Sequence, residues 1–162
     1  MPELQKVTVI GLGYIGLPTA ALIASRGRQV VGVDTKEHVV RTVGAGSIHI
    51  AEPDLDGLVS KVVSTGALTT STTPQPADVF IIAVPTPIDD EHRPDLSYVN
   101  AAVESILDIL APGNLVILES TSPIGTTEGI ARRICERRPD LHLGTNGKEE
   151  AAIYVAYCPE RV

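Results

Sequence analysis

Apolar residues fall along this chain in two alternating rhythms. Short β-branched runs, apolar at nearly every position, alternate with longer stretches where apolar residues recur every three or four positions. The short runs predict strands at Lys6–Ile10, Gln29–Val33, Leu68–Ser71, Asp78–Val84, Leu115–Leu118 and Ile153–Tyr157. The longer stretches predict helices over Ile15–Ser25, Lys36–Val43, Leu55–Val63, Ser97–Leu110 and Thr126–Arg138. Asp54 is placed to cap the third helix, Pro85 to end the fourth strand, Pro112-Gly113 to stop the fourth helix and Pro139 to close the fifth. Strands that are apolar throughout need cover on both faces, which is the demand of a parallel sheet flanked by helices. The order β-α-β-α-α-β-β-α-β-α-β therefore predicts an α/β fold, a doubly wound, mostly parallel sheet with right-handed crossovers and helices on both faces. No internal repeat or low-complexity tract interrupts it.

Chemistry first enters after the first strand. Gly11-Leu12-Gly13-Tyr14-Ile15-Gly16 reads G-x-G-x-x-G between a strand and a helix. In such a Rossmann-type turn Gly11 permits the sharp bend, Gly13 lets a pyrophosphate approach the backbone, and Gly16 allows the helix to pack closely on the sheet. The helix amides from Tyr14 onward would meet the phosphates at the positive end of the helix dipole. Asp34 ends the second strand, where a carboxylate accepts hydrogen bonds from ribose hydroxyls and repels a 2′-phosphate. NAD is thus the expected cofactor rather than NADP, although Lys36 and Arg41 lie nearby in sequence.

Ligands of open α/β sheets sit beyond the carboxyl ends of the strands. Those ends deliver, in turn, the glycine loop, Asp34, Val84-Pro85-Thr86-Pro87, Glu119-Ser120-Thr121-Ser122-Pro123 and Cys158-Pro159-Glu160-Arg161. Thr86, held between two prolines, is biased toward an extended backbone.

Composition narrows the remaining classes. The 162 residues carry 13 Lys plus Arg against 20 Asp plus Glu, a net charge of −7, which excludes the basic face of a duplex-DNA binder. Four Tyr, one Phe and no Trp leave no stacking platform for single-stranded nucleic acid. No apolar run approaches the ~18 residues of a membrane span, and Met1 to Lys6 lack a secretory pattern. Cys135 and Cys158 form no Cys-x-x-Cys pair, so the expectation is neither a disulfide framework nor a zinc site, but two packing residues in a reducing cytoplasm. Asp89-Asp90-Glu91-His92 lacks metal-ligand spacing and is expected to be a solvated loop, so no metal is expected. Arg132, Arg133, Arg137 and Arg138 are expected to complement the dipole at the end of their own helix.

Val9 to Pro18, Val84-Pro85-Thr86-Pro87 and Glu119 to Thr127 together resemble the nucleotide-sugar 6-dehydrogenases, the family of UDP-glucose and GDP-mannose dehydrogenases. Ile48 to Leu55 and Ala156 to Val162 resemble the branch of it that acts on UDP-N-acetylhexosamines. The resemblance runs almost the whole length and is weakest from Gly144 to Ala152. It implies oxidation of a sugar's primary alcohol to a carboxylate in two NAD-dependent steps, through an aldehyde trapped by a cysteine and a thioester hydrolysed by water. It implies that Tyr14, Ile15, Asp34, Thr86 and Thr127 contact NAD, with Gly11, Gly13 and Gly16 forming the turn. Thr121 would position a catalytic water, Glu160 would assist as base in the hydrolysis, and Arg161 and Val162 would begin the UDP-sugar surface.

The family's nucleophilic cysteine, catalytic lysine and asparagine have no counterpart here. Residues 1–162 are accordingly expected to form the NAD-binding domain of a longer, homodimeric enzyme whose central helix and substrate domain lie elsewhere, and to bind NAD without turnover. Two other functions use the same glycine loop: a single-step hydroxyacid or sugar-phosphate dehydrogenase domain, and a non-catalytic NAD-sensing module.

Overall fold

The computed structural model describes residues 5–91, 93–144 and 151–159. In chain order the elements are β1 (Lys6–Ile10), α1 (Gly16–Ser25), β2 (Gln29–Val33), α2 (Glu37–Gly44), α3 (Leu55–Ser64), β3 (Leu68–Ser71), β4 (Val79–Ile82), α4 (Ser97–Ile106), β5 (Leu115–Leu118), α5 (Thr126–Arg137), β6 (His142–Leu143) and β7 (Ala152–Tyr157). The strands form one sheet in the order β3-β2-β1-β4-β5-β7-β6, with every pairing parallel. The order reverses between β1 and β4, which opens a crevice at their carboxyl ends.

Strand alternation divides the core into two layers. Val7 and Val9 of β1, Val79 and Ile81 of β4, and Val30 and Leu68 pack against α1, α2 and α3. Ile10, Phe80, Ile82, Val116, Leu118 and Ile153 pack against α4 and α5 on the other face. All four residues of β4 are buried, so this strand joins the two layers. The polar Thr8 is fully buried in β1, and its hydroxyl donates to the Gln75 carbonyl at 3.0 Å.

Side chains also lace the amino edge of the sheet. Asp78 Oδ2 accepts the backbone N–H groups of Gln5 and Lys6, both at 2.9 Å. Buried Asn114 donates to the Ala77 carbonyl (3.0 Å) and accepts from the Ala111 N–H (2.8 Å). These bonds fix the heights of β1, β4 and β5, and hence where their far ends emerge.

Several sequence expectations are revised. Strand β4 stops at Ile82 rather than Val84, because the Val84 carbonyl accepts the Ser120 hydroxyl (2.7 Å) instead of continuing the ladder. Helix α4 ends at Ile106 and tightens into a 3-10 turn at Leu107–Ile109. Asp54 occupies the N-cap position of α3 but adopts φ 62° and makes no side-chain cap bond. Strand β6, two exposed residues long, is too short to register as a period. Cys135 is half-buried, but Cys158 is exposed and packs nothing away.

Arg137 lies in the last turn of α5 as expected, and three of the arginines also act beyond their own helix. Arg133 Nε and Arg137 Nη1 reach Glu104 of α4 at 2.6 and 2.9 Å. Arg138 donates to the carbonyls of Leu107 and Leu110 at 2.6 and 3.0 Å while its fork pairs with Asp140. It therefore ties down the 3-10 turn that follows α4, whose carbonyls would otherwise lack these partners.

Three outcomes are expected. Arg138→Ala should lower unfolding stability by about 1.5–3 kcal/mol, the range for hydrogen bonds to a charged group, in denaturant titrations. Exposed Arg132→Ala should stay within about 0.5 kcal/mol of the parent. The Arg133 hydrogen bond, aided by Arg137, holds the Glu104 carboxyl below its ordinary 4.5. A depressed carboxyl contributes stability above 4.5 and loses it as pH falls below that value. Melting temperatures of the parent and Glu104→Gln should accordingly differ most above that pH and converge below it.

Candidate functional site

The glycine loop leaves β1 and turns at once into α1. Gly11 has φ +95°, and a Cβ there would stand 2.5 Å from the Ala83 carbonyl oxygen at the end of β4. A Cβ on Gly16 would lie 1.9 Å from the Gly11 oxygen, so the helix starts in direct contact with its own loop. Between them Gly13 is different: a Cβ there would meet nothing within 4 Å. Two glycines are thus demanded by protein packing and the middle one opens outward.

The start of α1 suits an anion. Its N-cap position, Ile15, supplies no side-chain cap and its first turn holds no acid, so no capping side chain occupies the start of the helix, where the positive end of the dipole lies. Tyr14 is 60% exposed, leaving its ring free to lie over a ligand.

Asp34, half-buried at the end of β2, has both carboxylate oxygens engaged. Oδ2 accepts the N–H of Leu12 at 3.1 Å and Oδ1 accepts the N–H of Lys36 at 2.9 Å. This ties the glycine loop to β2, and a second feature supports the tie. Leu12 is fully buried, with its methyl group in the space that a Cβ on Gly32 would need, 2.8 Å away. Gly32 was not a site residue by motif, but an isolated glycine inside a strand is a signal for such close approach. Desolvation holds the His49 imidazole below 6.5, opposed by Asp34 and reinforced by His38 and Lys36.

On the other side of the crevice, β4 and β5 deliver a second cluster. Thr86 Oγ1 donates to the Thr121 carbonyl at 2.7 Å. Ser120 is buried, with its hydroxyl on the Val84 carbonyl (2.7 Å), and Ser122 Oγ donates to the Ser120 carbonyl at 3.0 Å. Glu119 Oε1 accepts the Thr19 hydroxyl at 3.0 Å, joining the end of β5 to α1. Thr121 itself is exposed, and Thr127 is half-buried in the first turn of α5.

The structure therefore brings Asp34 to the glycine loop and Thr86 to Thr121, one pair on each side of the β1/β4 switch. Glu160, Arg161 and Val162 lie outside the described residues. Among the described residues no group of three or more His, Cys, Asp and Glu could hold a metal ion, and no helix is long and apolar enough to cross a membrane.

Comparison with known proteins agrees with this geometry. Residues 5–162 match the family described as UDP-glucose/GDP-mannose dehydrogenase family, NAD binding domain. The chain is 53% identical over 160 residues to an NDP-N-acetyl-D-galactosaminuronic acid dehydrogenase from Ralstonia nicotianae, covering 99% of this chain and 38% of that protein. It is 54% identical over 156 residues to the UDP-N-acetyl-D-mannosamine dehydrogenase of Escherichia coli K12, covering 96% of this chain and 37% of the relative. Among solved structures, the UDP-N-acetyl-mannosamine dehydrogenase of Staphylococcus aureus superposes with a TM-score of 0.87 at 42% identity, over 98% of this chain and 37% of its own. The chain thus spans well under half the length of these relatives. It belongs to the UDP-glucose/GDP-mannose dehydrogenase family and corresponds to that family's NAD-binding domain.

Proposed function

We propose that this chain binds and orients NAD for the oxidation of a UDP-N-acetylhexosamine to its uronate, as one part of a nucleotide-sugar 6-dehydrogenase. The observation that carries the reading is the glycine loop. Gly11 and Gly16 are closed by the chain's own backbone, while Gly13 opens on free space where a pyrophosphate would come nearest. The relatives' names support the substrate class, since both concern N-acetylated hexosamine derivatives. UDP-N-acetyl-D-mannosamine is the sugar to test first.

NAD, when bound, supplies a hydride acceptor. The chain's own residues have separate tasks around it. Gly13 and the amides at the start of α1 receive the pyrophosphate. Asp34 accepts from the adenosine ribose, and its charge opposes a 2′-phosphate. Tyr14 and Ile15 cover the phosphates and ribose from the loop. Thr86, whose proton is committed to the Thr121 carbonyl, retains its oxygen lone pairs as acceptors toward the nicotinamide side, and Thr127 lines the same side from α5. By the family pattern, Thr121 would hold a water near the reacting carbon. Glu160 assists as base, and Arg161 and Val162 begin the sugar surface; these three roles rest on the family pattern. The free thiols Cys135 and Cys158 support a cytoplasmic setting. Turnover and pairing into a homodimer belong to the longer enzyme.

Calorimetric titration provides the test. NAD should bind, NADP at least about tenfold more weakly, and Asp34→Ala should shrink that ratio. Because Asp34 also ties down the loop, the variant should melt at a lower temperature. Absence of NAD binding to the folded chain would overturn the reading. The glycines give a second, sharper contrast. Gly13→Ala should keep stability within about 1 kcal/mol yet lose NAD affinity by about tenfold or more. Gly16→Ala, with its Cβ driven into the Gly11 carbonyl, should destabilise the fold itself by about 1–3 kcal/mol or more.

A further inference from the structure

The crevice wall formed by the β5–α5 loop is held by a residue that has no role in the site described above. Tyr157, at the end of β7, places its hydroxyl against the backbone of Ser122. It accepts the Ser122 N–H at 3.2 Å and donates, over a longer 3.4 Å, to the Ser122 carbonyl. Tyr157 as a whole is 43% exposed, so the contact lies at the surface of the crevice wall.

The loop's neighbouring bonds explain why one anchor here matters. Ser120 is fixed from below through Val84, and Thr121 receives the Thr86 hydroxyl through its carbonyl. Beyond Ser122 the chain runs into Pro123, which restricts the Ser122 backbone, and then into Gly125 at φ 90°. Ser122 is the residue of this segment that Tyr157 bonds across from β7, before the Pro123 carbonyl is taken up by Thr126 of α5. The backbone N–H of Cys158, next to Tyr157, also donates to the Leu118 carbonyl at 2.9 Å, so the tyrosine projects from backbone already locked to β5.

We infer that Tyr157 is a positioning residue for the nicotinamide half of the cofactor site, setting the height of Thr121 and, through it, of Thr86. The inference rests on the NAD reading proposed above. With the pyrophosphate at α1 and the adenosine directed to Asp34, the second nucleoside must cross the switch point toward β4 and β5, where this loop stands.

ADP-ribose, which has every part of NAD except the nicotinamide, separates the two halves of the site. Both ligands would be titrated into the parent chain and into Tyr157→Phe, which keeps the ring and removes only the hydroxyl. The expected result is a loss of NAD affinity of about fivefold, the worth of one net hydrogen bond, with ADP-ribose affinity unchanged within about twofold. A general weakening of the fold would lower both affinities together, and that outcome would overturn the inference. So would a Tyr157→Phe chain whose two affinities both match the parent. If the parent itself bound neither ligand, the NAD reading would fall, and the role of Tyr157 with it.

Discussion

The close approach of α1 to the loop that precedes it governs this domain. The helix begins so near the Gly11 carbonyl that no side chain fits at Gly16, and the loop lies so near the end of β4 that none fits at Gly11. Those two contacts aim the helix axis at the crevice between β1 and β4. Ala20, Ala21 and Ala24, all buried, keep the helix low along its remaining length. Small residues bury little apolar area, so they set spacing more than they supply adhesion. The adhesion comes from branched neighbours such as Val7, Val9, Val30 and Leu68 in the same layer.

The two edges of the sheet use one device for different ends. At the amino edge, Asp78 and Asn114 bind backbone groups of adjoining segments and fix the register of the strands. At the carboxyl edge, Asp34, Ser120, Thr86 and Tyr157 do likewise, but around a space that stays open. Side chains bonded to backbone hold loops without adding bulk above them. Ion pairs play a smaller part here. The Glu104–Arg133–Arg137 group lies between α4 and α5, away from the glycine loop, and being largely solvated it tunes the outer layer rather than the crevice.

Most of the architecture was legible because strands apolar on both faces and helices of ordinary length leave one arrangement open. The glycine loop was legible for the same physical reason that it exists: steric demand for glycine at Gly11 and Gly16 leaves a mark in the sequence. What escaped was long-range hydrogen bonding. Nothing near Arg138 in sequence reveals that its partners are the carbonyls of Leu107 and Leu110, in and just after the 3-10 turn that follows α4. The same holds for Ser120, which reads locally as turn chemistry yet shortens β4 by taking the Val84 carbonyl. Asp54 failed as a cap because the sequence gives its residue type and not its left-handed backbone. Gly32 and Leu12, twenty residues apart, fit one into the other through a vacancy that only the folded sheet defines.

Asp34 carries a consequence for how such a domain could change over time. Its carboxylate is at once the acidic group proposed to meet the adenosine ribose and the clip that fastens the glycine loop to β2. A lineage drifting toward phosphorylated dinucleotides could not simply discard the acid, because the loop would come loose in the same step. Some other acceptor for the Leu12 and Lys36 amides would have to arise first, or at once. On that reading cofactor choice and loop integrity are inherited together, because one carboxylate serves both.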